Sequence, residues 1–319
     1  MVSQVSDQEL WQQHLLLVDG HTVAVQIHRN ANHAPVVLLL HGITGSVDFW
    51  PLLLTPEFMS RYTCISVSLP GHAPSLLPEE FGPHNVVPGL FVGQIRSVLD
   101  TFCSDRKVHV VGWSTGGFAA LAAAAEFPNR FHSVTSICGF VRGHWHGSLG
   151  ILQWLAASGL PDSFFHAVFR VLQTRTRLTY LTLRRYAGRL NSAAAVQTFD
   201  LQLTKSECIA TLKSLHSESI RIMMAGLRTV DISDELHRIA CPATIIYGRL
   251  DPVILPEEAA LMMASVAQAR GIELPEAGHM FFAEAFDTVL QHISETIESA
   301  SSAADTGRDT QNVTADPRI

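Results

Sequence analysis

A serine lies within a glycine-rich segment at the end of an apolar run. Residues 112–117 read GWSTGG, directly after the apolar residues 108–111 and before an alanine-rich stretch with helical spacing. A serine at such a strand-to-helix turn adopts a strained backbone conformation that presents its hydroxyl above the sheet. The residues two before and two after it crowd the turn, and Gly112 and Gly116 meet that need. Ser114 is therefore a candidate nucleophile, although the motif alone also fits a glycine-rich turn whose serine only begins a helix.

Two further residues could activate that serine. A hydroxyl is a poor nucleophile unless a base takes its proton and a third group orients the base. His279 follows the last predicted strand in the sequence EAGHM, and Asp251 follows the preceding strand in GRLDP. One histidine among 16 is more often structural, but the carboxyl ends of parallel strands meet at one edge of a sheet. The order Ser114, Asp251, His279 therefore predicts a nucleophile, an orienting acid and a base at that edge.

The segment after the first buried strand could stabilise negative charge. Residues 41–45 read HGITG and form a glycine-flanked turn. Attack on a carbonyl creates an oxyanion, which needs preorganised hydrogen-bond donors. We predict that the backbone N–H groups of Ile43 and Thr115 supply these donors as an oxyanion hole. A histidine-glycine pair after a strand would equally fit an ordinary tight turn.

The pattern along the chain predicts how these residues are positioned. Residues 36–40 are apolar throughout, which is typical of a strand buried on both faces of a parallel sheet. The dipeptide Asp19-Gly20, between two strand-like runs, predicts a hairpin with a type I′ turn. Strand-like and helix-like runs then alternate, which predicts an α/β fold with a mostly parallel, doubly wound sheet. Further strands are predicted over residues 63–68, 108–111, 133–138, 243–247 and 271–274, and helices over 92–103, 118–126 and 286–297.

A long helical block interrupts this alternation. From about residue 141 to 232 the chain has helical spacing, with breaks at Pro161-Asp162 and at residues 188–191. A block of this length within an α/β pattern predicts an inserted helical cap, or lid. Residues 1–140 and 233–298 then form the core. Residues 299–319 are small, polar and aperiodic, and we expect them to form a disordered C-terminal tail.

Four segments together resemble the α/β-hydrolase superfamily, over residues 14 to 298. They are HGITG (41–45), GWSTGG (112–117), GRLD (248–251) and GH (278–279). The resemblance implies the α/β-hydrolase fold with a helical cap. Residues 68–73 (SLPGHA) also resemble the superfamily's Asp-x-Pro-Gly-His-Gly turn, with Ser68 and Ala73 replacing its first and last residues. These two replacements lie in a turn with a structural role, and they argue against assigning the chain to any common subfamily.

The resemblance also implies a role for each candidate residue. It makes Ser114 the nucleophile, His279 the base and Asp251 the orienting acid. It makes Ile43 and Thr115 the two oxyanion donors. Because serine occupies the nucleophile position, the aspartate-nucleophile dehalogenases and epoxide hydrolases are disfavoured.

Composition and charge exclude several classes of protein. The chain has 319 residues and is 47% hydrophobic, which is enough for a sizeable core. Its net charge of −7 disfavours non-specific nucleic-acid binding, because the phosphate backbone attracts cationic surfaces. No apolar run approaches the roughly 20 residues of a membrane span, and the N-terminus lacks the features of a signal peptide. The five cysteines are scattered, so we expect reduced, buried thiols, a cytoplasmic protein and no metal site.

Apolar side chains beside the motifs and in the cap could bind the substrate. We predict a pocket lined by Trp113, Met280, Phe140, Trp145 and Trp154. Aromatic residues of the cap could instead serve only to pack its helices on the core.

Arginine is concentrated in one part of the cap. Residues 163–199 contain no acid and six arginines, namely Arg170, Arg175, Arg177, Arg184, Arg185 and Arg189. A solvated helix face is the usual explanation. The alternative is an anionic partner, such as coenzyme A, the phosphopantetheine arm of an acyl carrier protein, or a membrane surface.

These features predict a serine hydrolase that needs no cofactor and acts on a small-molecule acyl substrate. The bond cleaved would be an ester, a lactone or a thioester, through an acyl-enzyme on Ser114. Acyl transfer from an acyl-CoA or acyl-carrier thioester uses the same parts, and hydrolysis of a C–C bond also stays open. A non-enzymatic ligand receptor on the same scaffold is a third class of function. The sequence indicates no oligomeric state.

Overall fold

The computed structural model describes residues 10–30, 33–104 and 106–313 of the chain, with side chains described up to residue 302. Eight strands of this described part form one sheet. In chain order they are β1 (Gln12–Val18), β2 (His21–His28), β3 (Val36–Leu40), β4 (Thr63–Val67), β5 (Val108–Trp113), β6 (Phe131–Ile137), β7 (Ala243–Gly248) and β8 (Ala269–Leu274). Across the sheet their order is β1-β2-β4-β3-β5-β6-β7-β8.

The described sheet is parallel from β4 to β8, whereas β1 pairs antiparallel with β2, and β2 pairs antiparallel with β4. The strand order reverses next to β3, since β4 lies on one side of it and β5 to β8 on the other. Because parallel crossovers are right-handed, this reversal places helices on both faces of the sheet. Strands β3, β4 and β5 are buried along their whole length, which the continuous apolar run of β3 predicts for that strand. The predicted mostly parallel, doubly wound α/β sheet is confirmed.

Helices connect the strands and cover the sheet. In chain order they are α1 (Phe49–Leu53), α2 (Pro56–Arg61), α3 (Pro88–Phe102), α4 (Thr115–Glu126), α5 (Gly147–Ala157), α6 (Asp162–Thr174), α7 (Thr176–Arg184), α8 (Ala193–Lys205), α9 (Cys208–Ser214), α10 (Ser217–Leu227), α11 (Pro256–Ser265), α12 (Phe281–Glu284) and α13 (Phe286–Val313). Helix α4 packs against β5, β6 and α3, and α13 packs against β6. Among the described helices, none has the length and apolar character needed to cross a bilayer.

The turn between β1 and β2 has the predicted geometry. Asp19 has a φ of 46° and Gly20 a φ of 81°. A type I′ turn requires positive φ at both central residues, because its twist then matches that of the flanking strands. The prediction of a type I′ hairpin is therefore confirmed.

Between β6 and β7 the chain leaves the sheet and forms α5 to α10. It departs and returns at one place. There the Gly143 N–H donates to the Val230 carbonyl at 2.9 Å, and the Ile232 N–H donates to the Val141 carbonyl at 3.1 Å. Residues 141–232, called the inserted segment from here on, are thus anchored at their base by antiparallel pairing.

The C-terminal part differs from the prediction. A disordered tail was expected from residue 299, whereas α13 continues to Val313. Extending an existing helix avoids the cost of nucleation, and no proline occurs before Pro317. Ala300 is also buried against the core. The prediction is therefore wrong for residues 299–313, and residues 314–319 lie outside the described part.

Two helical glycines provide a matched test of the packing at the β5–α4 turn. A Cβ on Gly116 would lie 2.4 Å from the carbonyl oxygen of Leu40, in the adjacent β3. A Cβ on Gly93, in α3, would meet nothing closer than 3.9 Å. We expect Gly116→Ala to lower the free energy of unfolding by about 3 kcal/mol or more, because main chain has to move.

Gly93→Ala serves as the control, and we expect it to raise the free energy of unfolding by about 0.5–1 kcal/mol, since alanine favours helix. Guanidinium unfolding followed by circular dichroism measures both values. Equal effects of the two substitutions would contradict this account of the turn.

Candidate active site

Ser114 lies at the sharp turn between β5 and α4. Its φ of 53° and ψ of −114° are strained for a residue with a side chain, which costs about 1–3 kcal/mol. The turn is tight enough that a Cβ on Gly112 would lie 2.0 Å from the carbonyl oxygen of Gly116. The Ser114 N–H donates to the Ile137 carbonyl of β6 at 2.8 Å, which fixes the turn to the sheet. The predicted conformation and the need for glycine at both flanking positions are thus observed.

The structure brings Ser114, His279 and Asp251 together. His279 Nε2 lies 3.0 Å from Ser114 Oγ, and His279 Nδ1 lies 2.7 Å from Asp251 Oδ2. All three residues are buried, with at most 4% of their surface exposed. The serine follows β5, the aspartate follows β7 and the histidine follows β8, so all three lie at the same edge of the sheet. In this arrangement the imidazole can accept the serine proton while the carboxylate holds the ring.

Asp251 is itself held by the main chain. Its second carboxylate oxygen, Oδ1, accepts the N–H groups of Val253 at 2.8 Å and Ile254 at 3.0 Å. Both carboxylate oxygens are therefore occupied, one by backbone and one by His279. A carboxylate fixed in this way can orient the imidazole.

Trp113 anchors the loop that carries His279. Its indole N–H donates to the His279 carbonyl at 3.1 Å. The ring stacks on Phe49 with centroids 4.9 Å apart and meets Phe282 edge to face at 5.1 Å. The side chain of the residue before the serine thus fixes the backbone of the histidine, in addition to the contact between the Ser114 and His279 side chains.

The N–H groups of Ile43 and Thr115 both lie in turns beside Ser114. Thr115 is the first residue of α4, where backbone N–H groups have no partner within the helix. Among the described residues, no hydrogen bond occupies either N–H. Gly42 brings the Ile43 turn close, because a Cβ on Gly42 would lie 3.2 Å from Ser114 Cβ. Two unoccupied donors beside a serine hydroxyl are the arrangement that an oxyanion needs.

Two buried histidines hold the Ile43 turn. His72 Nε2 lies 2.6 Å from the Ile43 carbonyl oxygen, and His41 Nδ1 lies 2.7 Å from the Gly42 carbonyl oxygen. His41 Nε2 accepts the N–H of Leu69 at 3.0 Å. Burial lowers the pKa of both imidazoles. The pKa of His41 falls well below its usual value, because the neighbouring His72 ring lowers it further. The histidines in HGITG and SLPGHA therefore support the turn and do not face the serine.

The predicted pocket residues divide into two groups. Phe140, Trp145 and Met280 are buried, and Phe140 stacks on Phe118 with centroids 5.2 Å apart. Trp154 is 51% exposed, so its side chain lies largely in solvent in this conformation, and its place in a substrate pocket stays a prediction. The reason for this exposure is the rotation of the helix, because one face of α5 is turned toward the protein and Trp154 lies on the other face. The buried positions of α5 are Leu149, Gly150, Leu152, Gln153 and Ala156.

Sequence reasoning missed Cys138, which follows β6. Its thiol lies beside the His279–Asp251 pair, 3.7 Å from the Gly278 carbonyl oxygen. One ligand atom each from Cys138, Asp251 and His279 lies within 4.8 Å of the others, and all three are buried. Burial, and then the Asp251 charge, raise the pKa of this thiol well above its usual range. A protonated thiol is a poor metal ligand, and the other two groups are already bonded to each other.

Glu284, in α12, was also missed. Its carboxylate accepts the N–H groups of Gly278 and Met280, the two neighbours of His279. Burial raises the pKa of Glu284. The three backbone N–H groups that donate to its carboxylate lower this pKa, and the Asp251 charge raises it further. The sequence carries no signal for such a contact, because a glutamate at the end of a short helix is usually solvated.

The predicted arginine cluster lies on the surface of the inserted segment. Only Arg184 is half-buried, and Arg189 pairs with Glu276 at 3.7 Å. Within the described residues, the other five form no ion pair, namely Arg170, Arg175, Arg177, Arg184 and Arg185. In α7 the buried residues are Thr179 and Leu183. Its opposite face exposes Arg177 and Arg185 with Leu178 and Leu181, 44% and 47% exposed.

Comparisons with known proteins agree with the fold. A model described as the alpha/beta hydrolase family matches residues 37–291. A pimeloyl-[acyl-carrier protein] methyl ester esterase of Proteus mirabilis (strain HI4320) is 24% identical over 270 residues, which are 83% of this chain and 93% of that protein. A protein of the same name from Aeromonas hydrophila is 25% identical over 272 residues, 81% of this chain and 94% of that protein.

Solved structures show the same architecture. The enol-lactonase from Burkholderia xenovorans LB400 has a TM-score of 0.71 and 18% sequence identity. The match covers 89% of this chain and 100% of the enol-lactonase chain. At this identity the likeness shows the fold alone, and it confirms the predicted α/β-hydrolase fold.

The burial of the cysteines generates a prediction about thiol reactivity. All five cysteines are buried, and burial raises the pKa of Cys103 and of Cys241 to about 11 each. Because the thiolate is the reactive form, we expect the native protein to react with Ellman's reagent at fewer than one thiol per chain at pH 8. Five thiols should react after unfolding.

A variant with one exposed cysteine, Ser60→Cys, is the positive control, since Ser60 is exposed at the end of α2. It should add one fast-reacting thiol to the native protein. Rapid native labelling of Cys138 would show that the His279–Asp251 region is open to solvent, contrary to the structure.

Proposed function

Because the chain belongs to the alpha/beta hydrolase family, we propose that it hydrolyses a carboxylic ester through an acyl-enzyme on Ser114. One observation carries this proposal. Ser114 Oγ, His279 and Asp251 form a continuous hydrogen-bonded chain with distances of 3.0 and 2.7 Å, beside the unoccupied N–H groups of Ile43 and Thr115. Nucleophile, base, orienting acid and oxyanion donors are the parts that acyl transfer to serine requires.

The proposed reaction has two halves. In the first, His279 Nε2 accepts the proton of Ser114 Oγ as the oxygen attacks the ester carbonyl. The carbonyl oxygen becomes an oxyanion, which the N–H groups of Ile43 and Thr115 stabilise. The C–O bond to the alcohol then breaks, and the alcohol leaves with the proton from His279. In the second half, His279 takes a proton from water as the water oxygen attacks the acyl carbon. The bond between that carbon and Ser114 Oγ then breaks, His279 returns the proton to Oγ, and the acid is released.

Asp251 keeps its charge throughout this reaction. Its carboxylate accepts the Nδ1–H of His279 and stabilises the imidazolium that forms in each half. The two main-chain N–H groups on its other oxygen prevent the carboxylate from turning away. Asp251 therefore orients the base and is not itself the proton acceptor.

We also propose that the inserted segment acts as a cap. Ser114 is only 3% exposed and His279 is 3% exposed, so both residues offer little open surface to an ester in this conformation. The backbone of Tyr186, in the inserted segment, accepts the His279 N–H at 2.7 Å. Access therefore requires the cap to shift, and the buried Phe140 and Trp145 favour a partly apolar acyl group.

The names of the relatives favour esters among the predicted substrates. Two relatives are named as methyl ester esterases that act on an acyl group attached to a carrier protein. At 24–25% identity these names do not transfer a substrate to this chain, but they make a carboxylic ester the first choice. Lactones and thioesters of graded length belong in the same substrate panel.

A carrier-linked acyl substrate is the second proposal, and the outer face of α7 favours it. That face combines Arg177 and Arg185 with Leu178 and Leu181, and no acid occurs between residues 163 and 199. Arginine binds phosphate with two parallel hydrogen bonds, which suits the anionic group that joins an acyl chain to its carrier.

Replacing the serine tests the proposed mechanism. We expect Ser114→Ala to lower kcat for ester hydrolysis by at least about 1000-fold, because no acyl-enzyme can form. A fluorophosphonate probe should label the wild type and not the variant. Ser136→Ala is the matched control, since Ser136 is another buried serine whose hydroxyl has no partner among the described residues. Unchanged hydrolysis by Ser114→Ala would refute the mechanism.

Reversing charge on α7 tests the carrier proposal. We expect the double variant Arg177→Glu/Arg185→Glu to raise KM for an acyl-carrier methyl ester by about 10-fold. The KM for the free methyl ester should stay within twofold. Arg29→Glu, which reverses an exposed arginine after β2, is the control. Equal loss on both substrates, or no loss on either, would contradict a docking role for this face.

A further inference from the structure

The inserted segment is bonded directly to the loop that carries His279. Residues 186–189, called the linker here, connect α7 to α8. Two backbone hydrogen bonds join the linker to the histidine loop. The Tyr186 carbonyl accepts the His279 N–H at 2.7 Å, and the Arg189 N–H donates to the Glu276 carbonyl at 2.8 Å. The two backbones approach so closely that a Cβ on Gly188 would lie 2.1 Å from the Glu276 carbonyl oxygen. A shift of the linker must therefore displace the loop that carries His279.

Glu284 joins these two pieces of chain. Its carboxylate accepts the Gly188 N–H of the linker at 2.5 Å and the Met280 N–H at 3.1 Å. It also accepts the Gly278 N–H, which lies 3.0 and 3.2 Å from its two oxygens. Gly278 and Met280 are the neighbours of His279 on either side. One side chain thus holds the backbone before and after the proposed base, and the inserted segment as well.

Only a carboxylate suits this position. All three partners are N–H donors, and an ionised carboxylate is a pure acceptor. Hydrogen bonds to a charged acceptor are about twice as strong as those between neutral groups. A glutamine would keep one acceptor oxygen but would bring two N–H donors against other N–H groups. Alanine would leave three partly buried N–H groups without an acceptor.

The backbone of His279 has two other supports. Its carbonyl accepts the indole N–H of Trp113 at 3.1 Å, and its N–H donates to Tyr186 at 2.7 Å. Trp113 fixes the histidine to the turn that carries Ser114. Tyr186 and Glu284 fix it to the inserted segment. The position of the imidazole, 3.0 Å from Ser114 Oγ, therefore depends on the linker being docked.

We propose that Glu284 is a positioning residue for His279, and that through Gly188 it couples the alignment of His279 with Ser114 to the docked state of the inserted segment. The proposal rests on the function proposed above for Ser114 and His279. Its consequence is an ordered cycle. When the inserted segment moves away to admit an ester, the Gly188 contact breaks and the histidine loop loosens. When the segment docks again over the bound ester, the base is aligned for attack.

The test compares Glu284→Gln with Glu276→Gln. Glu276 lies on the same loop and pairs with Arg189 of the linker, but it is 59% exposed and does not touch the neighbours of His279. We expect Glu284→Gln to lower both kcat and the rate of fluorophosphonate labelling by about 10- to 100-fold, because small displacements of a reacting group are costly. KM should change by less than about threefold, and Glu276→Gln should match the wild type.

Hydrogen exchange measured by mass spectrometry provides a readout independent of activity. In Glu284→Gln, exchange should speed up in two separate peptides, one covering the linker and one covering residues 276–280. All assays are performed well below the unfolding midpoint of each variant, so that a lower stability does not lower the rate. If Glu284→Gln does not fold, Glu284→Asp replaces it, because the shorter side chain keeps the charge but withdraws it from the N–H groups. The same changes in kcat, probe labelling and hydrogen exchange are then expected, with smaller magnitudes.

The outcomes separate this inference from the proposed function. If the wild type neither hydrolyses esters nor reacts with the probe, the proposed function fails, and the exchange data alone decide whether Glu284 couples the two segments. If the wild type is active, labelling of Glu284→Gln within twofold of the wild-type rate overturns the positioning role. Faster exchange confined to residues 276–280, with the linker unchanged, overturns the coupling.

Discussion

The contact between Ser114 and His279 constrains the rest of the structure. These residues are 165 positions apart in the chain, yet their side chains are 3.0 Å apart. Side chains alone cannot hold such a distance, because fixing the backbone of each loop residue costs conformational entropy that other contacts must offset. The parallel strands β5, β7 and β8 bring the three loops to one edge of the sheet. Everything else at the site restricts those loops further.

Each loop is restricted by a different physical means. The serine turn is held by close approach of backbone, which only Gly112 and Gly116 permit, and the resulting strain at Ser114 is resisted by the sheet. Asp251 is held by main-chain N–H groups on the oxygen that does not face His279. The histidine loop has no strand after it within the described chain, so it is fixed by Trp113 and Glu284.

Burial makes this arrangement effective. Hydrogen bonds and charges interact more strongly where water is excluded, and the serine, aspartate and histidine are all nearly inaccessible. The inserted segment contributes backbone contacts that hold the histidine loop. If it acts as the proposed cap, opening the site and loosening the proposed base are physically linked.

The sequence by itself determined the elements and the positions of Ser114, Asp251 and His279, because local patterns encode strands and turns and the sheet edge gathers the strand ends. Tertiary structure alone decided where Cys138, Glu284 and Trp154 lie. Cys138 reaches the Gly278 carbonyl across 140 positions of the chain, and Glu284 reaches the Gly188 N–H across 96. One residue's type does not reveal such a neighbour. Trp154 faces solvent because helix packing, and not its hydrophobicity, sets which side of α5 is buried. Long-range packing is a property of the whole chain, which no local pattern contains.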